Sequence, residues 1–278
     1  MIYGGDFIKE YLIVNINNKN TEILLIRKNR NKYIIQNQLN YEMGSKDLKK
    51  EENNEYINQV TKIIKDNTNQ KLKNIYFTMQ NDEIIIRNIK NINSGRKKEI
   101  IQLIKYEIGN YMPLDLQNYV IKYKKIINAR GKGSIQGILF PKKYVDICKS
   151  ISEKLKIKKR YLYINFDILQ KLMDLRIINI SQNSNSEVII IENREKDMIL
   201  NKVFNSKIIE SYVVDKTNNQ YSINQFPDNN TYYYGIKDDF IENLQVKKLY
   251  FNNKLILNDK EEIIDITLDY LPALGMIL

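Results

Sequence analysis

The 278-residue sequence contains no histidine. That absence removes the commonest metal ligand and the commonest general base together. Cys148 is the only cysteine, so no disulfide within the chain, no thiolate zinc site and no Cys/His pair can form. It falls in the repeat Tyr144, Cys148, Ile151, Leu155, an apolar helical stripe on which a thiol acts as a small hydrophobe. No apolar run approaches the ~18 residues needed to span a bilayer. Residues Met1 to Asp6 show no basic stretch followed by an apolar core, so no secretory signal is read and the cytoplasm is the expected location. The apolar residues 270–278 read as a strand or helix end packed in a core, or as the cut edge of a longer protein. Any chemistry is left to carboxylates, lysines, hydroxyls or a bound nucleotide with its magnesium.

Charge of one sign is not scarce. Lysine and arginine number 44 against 33 aspartates and glutamates, a formal net charge of +11, and such a balance ordinarily points to nucleic acid or an anionic surface. The lysines are scattered along the chain, however, with acidic residues among them, as in Lys62, Lys65, Asp66 and Lys237, Asp238, Asp239. A solvated surface in a chain rich in Asn, Ile and Lys is therefore expected, and no nucleic-acid partner.

The length suits one large or two ordinary domains. Tyr11 to Val14 and Thr21 to Ile26 form a hairpin across Asn15 to Asn20, whose asparagines suit a tight turn with positive φ. A third strand over 32–36, a helix placing Tyr56, Val60, Ile63 and Ile64 on one face, and strands over 73–78 and 83–87 follow. From 94 to 156 the pattern reads helix, strand, strand, helix. Ile100, Ile104, Ile108 and Tyr111 share a helical face, Gly109 and Pro113 supply stop signals, and Tyr119, Ile121 and Tyr123 alternate as a strand. Ser134 to Phe140 is a second strand, and Pro141 opens the closing helix. Residues 157–180 return to the opening domain, 181–186 read as a linker, and three strands over 187–214 repeat the opening pattern in a reduced second half, 187–278. The segmentation is thus 1–93, 94–156, 157–180 and 187–278.

The run Ile104 to Tyr123, IKYEIGNYMPLDLQNYVIKY, followed by Gly137 to Pro141 and a helix, resembles the signature region of PilM, the actin-like protein of type IV pilus machines, with Glu107, Pro113 and Tyr119 matching its pattern. FtsA and GspL proteins share the architecture. The resemblance implies an α/β fold with actin-like, ribonuclease-H-like halves and an inserted αββα subdomain. It also implies a cytoplasmic scaffold at the inner face of the membrane that binds the N-terminal peptide of a PilN-like single-span membrane protein and connects it to the pilus motor ATPase complex. Tyr106, Tyr111, Met112, Leu114 and Tyr119 carry more apolar area than a plain surface turn needs and are the expected partner-binding residues. A homo-oligomer stays open, because some actin-like proteins polymerise.

Actin-like ATPases hold phosphates between two hairpin turns typified by Asp-x-Gly, where glycine lets backbone N–H groups approach and aspartate organises magnesium. Here the first turn offers Asn15-Ile16-Asn17, with Lys19 close by, and the second offers Glu192-Asn193-Arg194. A third, glycine-rich turn is expected near Phe251 to Lys254 and has no glycine. Three degraded elements lead to the expectation of no ATP hydrolysis, no metal and no cofactor; Lys19, Arg194 and Lys254 could at most receive an anion. A divergent actin-like ATPase and a basic nucleic-acid-binding protein are the rival readings.

Overall fold

The structure is a computed structural model describing residues 9–29, 32–48, 53–68, 72–90, 95–127, 133–178, 180, 187–216, 230–244, 246–249, 255–257, 263–264 and 271–277. Alternating apolar residues build β1 (Lys9–Ile16), β2 (Thr21–Asn29) and β3 (Lys32–Tyr41) into an antiparallel meander. The first turn closes with the Asn17 N–H donating to the Asn20 carbonyl at 2.9 Å. Contrary to expectation, no asparagine of this turn takes a positive φ. The turn is instead backed by a neighbouring segment, whose Ser45 and Lys46 N–H groups donate to the carbonyls of Asn17 and Asn18 at 2.8 and 2.9 Å. Only glycine permits that approach, because a Cβ on Gly44 would lie 2.4 Å from the Lys19 nitrogen.

Next comes α1 (Asn53–Asn67), burying Tyr56, Ile57, Val60, Thr61 and Ile64 at helical steps. β4 (Asn74–Met79) pairs parallel with β1. The chain then leaves the sheet to form β5 (Ile85–Lys90), α2 (Lys97–Tyr111), β6 (Tyr119–Ile127) and β7 (Gly133–Pro141), a three-stranded sheet in the order β5-β7-β6. It returns through α3 (Lys142–Lys154), β8 (Lys159–Ile164), which pairs parallel with β4, and α4 (Asn165–Asp174). A second sheet follows: β9 (Val188–Asn193), β10 (Asp197–Phe204), β11 (Lys207–Asp215), β12 (Thr231–Gly235), a short α5 (Asp239–Glu242) and β13 (Lys247–Lys248). β14 (Leu255–Leu257), β15 (Ile263–Ile264) and α6 (Leu271–Ile277) complete the described elements.

The repeat of the opening pattern is visible in the topology. The first sheet runs β15-β14-β3-β2-β1-β4-β8 and the second runs β11-β10-β9-β12-β13, so each half has a meander followed by parallel additions beside its first strand. The first-half core seats Leu12, Val14, Phe77, Tyr56, Tyr144 and Ile151 at 0% exposure. Each such side chain contributes roughly 1.5–3 kcal/mol of transfer free energy.

Three of the expected boundaries move. β5, assigned by sequence to the opening domain, is an edge of the small sheet, pairing with β7 from Ile85↔Leu139 to Lys90↔Ser134. The helix expected to close the inserted unit, α3, instead packs on α1 in the main core through Tyr144, Ile147, Cys148 and Ile151. The inserted unit is therefore strand, helix, strand, strand. The physical reason lies in β7: Ile135 and Leu139 meet Ile100, Ile104 and Ile108 of α2, whereas Ile138 and Phe140 belong to the main core. A sheet buried on both faces needs α2 on one side and the rest of the molecule on the other. The second half also ends before 278, because β14 pairs parallel with β3 and α6 packs on α4 in the first half. The linker expected over 181–186 lies outside the described residues.

Candidate functional site

The two hairpin turns meet across a cleft of about 450 Å³ lined by Asn15, Asn17, Lys19, Glu192, Arg194 and Gly235, among others. All five cleft residues singled out by sequence are therefore brought together. Their chemistry is set by Arg194. Its Nε donates to Glu192 Oε1 at 2.8 Å, and Nη1 lies 3.7 Å from Asp197 Oδ1. The three side chains are 13, 7 and 7% exposed. Glu192 also accepts from Tyr234 Oη at 2.6 Å and from Asn165 Nδ2 at 3.2 Å. Burial pushes the Asp197 carboxyl above the usual carboxylate range against the opposing pull of Arg194. Burial opposes the charge on Arg194 too, and the carboxylates of Glu192 and Asp197 overcome it, raising its pKa.

Sequence reasoning reached Glu192 and Arg194 but missed Tyr234 and Asn165, which a pattern cannot place beside a turn 27 to 42 residues away, and it passed over Asp197, three residues beyond Arg194 in the same turn. It also missed Gly235. This glycine ends the parallel strand beside β9, takes φ +114°, and leaves no room for a Cβ, which would fall 1.9 Å from the Asn193 carbonyl oxygen. The second-half glycine at the cleft is therefore Gly235, which ends the strand-like run Thr231-Tyr-Tyr-Tyr-Gly235, a signal that was available. The turn expected near 251–254 lies outside the described residues, as does Lys254.

Tested against a nucleotide and its magnesium, which the fold implies, the cleft residues fit poorly. Asn15 offers an amide where a carboxylate would organise the ion. Arg194 offers its charge to two carboxylates rather than outward. Around the cleft, five carboxylates (Glu22, Glu42, Glu192, Glu195, Asp197) face three cations (Lys19, Arg194, Lys196), a balance that repels a triphosphate. Among the described residues no group of three or more acidic or thiol side chains is arranged to hold a metal.

The halves are joined beside this cleft by buried side chains. Gln80, just past β4, donates through Nε2 to Ser211 Oγ at 2.5 Å and accepts the Phe166 N–H at 2.9 Å. Asn165 accepts from Thr78 Oγ1 at 2.8 Å while donating to Glu192.

The second candidate region is the junction of the small sheet with the base. β6 is an edge strand, and its Lys124 forms an ion pair with Asp167 on α4 and lies 5.2 Å over the Phe166 ring. Asp167 is raised above the usual carboxylate range by burial, with Lys124 opposing. Of the residues expected to bind a partner, Leu114 and Tyr119 are half-buried against the cluster formed with Ile100, Ile104 and Leu139. They consolidate the small sheet itself rather than joining it to the base. Met112 is half-buried at the end of α2, with its N–H donating to the Ile108 carbonyl at 2.9 Å. Tyr106 is 66% exposed on the other side of α2 from Ile104, apart from the rest. The side chain of Tyr111 lies outside the described residues.

No protein-family model and no curated protein matches the sequence. Solved structures do. One is a PilM–PilN type IV pilus biogenesis complex, with a TM-score of 0.68 at 9% identity over 96% of this chain and 97% of that one. The chain has the actin-like fold of PilM. The cytoplasmic domain of EpsL, an inner membrane component of the type II secretion system of Vibrio cholerae, superposes with a TM-score of 0.54 at 8% identity, covering 97 and 95% of the two chains. A protein of actin-like ATPase fold and unknown function from Bacteroides thetaiotaomicron gives 0.50 at 9% identity over 92 and 93%. The likeness in fold to PilM therefore extends along nearly the whole chain, at 9% identity. Among the described residues no helix is long and apolar enough to cross a membrane.

Proposed function

We propose that this chain is a scaffold of a type IV pilus or related secretion machine that holds the cytoplasmic N-terminal peptide of a PilN-like single-span membrane protein, and that it hydrolyses no ATP. The observation that carries the reading is the Arg194–Glu192–Asp197 cluster, which satisfies from within the charges that a nucleotide and metal would otherwise balance. With its cleft so occupied, the molecule has surfaces left to work with. The peptide's place is the junction where the open edge of β6 faces α4 across Lys124 and Asp167. An edge strand offers a row of backbone donors and acceptors, and an extended segment pairs with them. Through that peptide the protein sits at the inner face of the membrane and connects it to the motor.

Fluorescence anisotropy with synthetic peptides from the cytoplasmic segments of the host's single-span inner-membrane proteins tests the docking. Saturable binding weakened tenfold or more by Lys124→Gln, measured at a temperature where the variant is still fully folded, is the expected result. Binding by none of the peptides, or binding indifferent to Lys124, would reject the junction as the site. The rival reading, a divergent nucleotide binder, draws support from Gly235 and from Arg194 Nη2, a buried donor without a protein acceptor. Calorimetric titration with ATP and magnesium decides it: micromolar affinity abolished by Glu192→Ala would overturn the scaffold reading.

A further inference from the structure

The lysines that look scattered in sequence are gathered by the fold. In the first half, β1, β4 and β8 are parallel, so their starts lie at one end of the sheet, opposite the cleft. The helices α1 and α3 return antiparallel to these strands, and their C-terminal turns finish at the same end. Lys65 and Lys154 stand at those helix ends, and Lys73 immediately precedes β4. Lys156, Lys158, Lys159 and Arg160 fill the short crossing from α3 into β8, and all four are exposed. Among the described residues none of these four has a carboxylate within ion-pair distance. Glu10, Asp66 and Glu153 are acidic residues interspersed there, and Glu153 is 3.9 Å from Lys149.

Part of this charge has a local explanation, since cations stabilise the C-terminal ends of helices. That explains Lys65 and Lys154. It does not explain Lys158, Lys159 and Arg160, which follow the helix. Lys156 adds a second sign: it takes φ 58° just past α3, a left-handed position where glycine is the usual and cheaper occupant.

The same end carries aromatic rings. Tyr161, 40% exposed, stacks on Tyr76 with centroids 4.9 Å apart and planes at 15°, and Tyr76 tilts against Tyr11 at 5.8 Å. Tyrosine's apolar body and polar tip suit the boundary between water and acyl chains.

We infer that this end of the molecule rests on an anionic phospholipid surface. The charge is carried almost wholly by lysine, a mobile point charge suited to diffuse attraction rather than to forked recognition of individual phosphates. Lys65 and Lys154 line a hollow between α1 and α3, but Lys156, Lys158, Lys159 and Arg160 stand exposed on the blunt end of the sheet and on no helix that could enter a groove, which favours an extended surface over a nucleic-acid duplex or an acidic peptide. The cleft, rich in carboxylates, then faces away from the membrane.

Flotation with vesicles of phosphatidylcholine alone and with about a third phosphatidylglycerol tests this. The protein is expected to bind only the anionic vesicles, and less as salt rises. Each cation near such a surface contributes about fivefold in partitioning, so Lys156→Gln/Lys158→Gln/Lys159→Gln should weaken binding about a hundredfold. A variant neutralising three exposed lysines of α2, Lys97, Lys98 and Lys105, loses the same net charge and should bind nearly as before. The chain has no tryptophan, so Tyr161→Trp gives a single reporter whose emission should shift to the blue on anionic vesicles. Equal losses in the two triple variants, binding to neutral vesicles, or tighter patch-dependent capture of single-stranded DNA or polyglutamate at the same salt would each overturn the inference.

Discussion

Arg194→Met removes the guanidinium while keeping an unbranched side chain of comparable reach. Glu192 and Asp197, each 7% exposed, are then left buried beside one another. Removing one partner of a buried ion pair typically costs 3–5 kcal/mol, because the remaining charge is uncompensated. Here Glu192 keeps its hydrogen bonds from Tyr234 and Asn165, so the lower end, about 3 kcal/mol, is expected at pH 7. For a chain of this length that corresponds to a fall of about 6–12 °C in melting temperature. The sign of the pH dependence follows from linkage. Asp197 already lies above the usual carboxylate range through burial, and losing Arg194 raises it further. A carboxyl whose folded pKa exceeds its unfolded value binds its proton more tightly when folded, so its stabilising contribution is present in acid and lost as pH rises through the folded value. The variant's deficit should therefore be largest near pH 7 and shrink toward pH 4. Thermal melts of wild type and variant across that range, with Glu192→Gln/Arg194→Met as a partial rescue, make the measurement. A variant that melts within 2 °C of wild type at pH 7, or whose deficit is flat with pH, would refute the claim that the cluster is a desolvated, self-neutralising occupant of the cleft.

Other outcomes are expected elsewhere. Gly235→Ala should destabilise by about 3 kcal/mol or more, read by chemical denaturation, because both its φ of +114° and the Asn193 carbonyl oppose a Cβ. Cys148, buried and with its thiol pushed far up by burial, should fail to react with Ellman's reagent in the native protein and give one equivalent in denaturant; rapid native labelling would contradict its place in the core. Leu114→Ala should cost about 1–2 kcal/mol and speed hydrogen exchange in β6 and α2 before the base, since Leu114 packs on the small sheet's own cluster. A variant that loses partner binding with no change in exchange would instead place Leu114 in the docking surface.

Local periodicity made most elements legible. The strands of the second-half meander, expected over 187–191, 197–204 and 207–214, were found at Val188–Asn193, Asp197–Phe204 and Lys207–Asp215. The stripe through Tyr144 and Cys148 was buried as read. What misled was allegiance. β5 reads as one more strand of the opening domain because strand propensity says nothing about which sheet receives it, and α3 reads as closing the insert because its stripe does not name the surface it covers. The cleft was legible in its turn residues, Asp197 included had the (i,i+3) spacing from Arg194 been weighed, yet Gly235 acquires its role from Asn193, a partner brought near by strand pairing.

The sequence by itself determined the elements, the absence of histidine and thiol chemistry, and the asparagines and arginine standing at the two turns, because these depend on residues within a few positions of each other. Only the tertiary structure decided that Asn165 and Tyr234 reach Glu192, that β14 goes back to pair with β3, and that the lysines from Lys65 to Lys159 share one end of a sheet. Charge and pairing act through space, and in a parallel sheet with antiparallel helices the chain returns repeatedly to the same end.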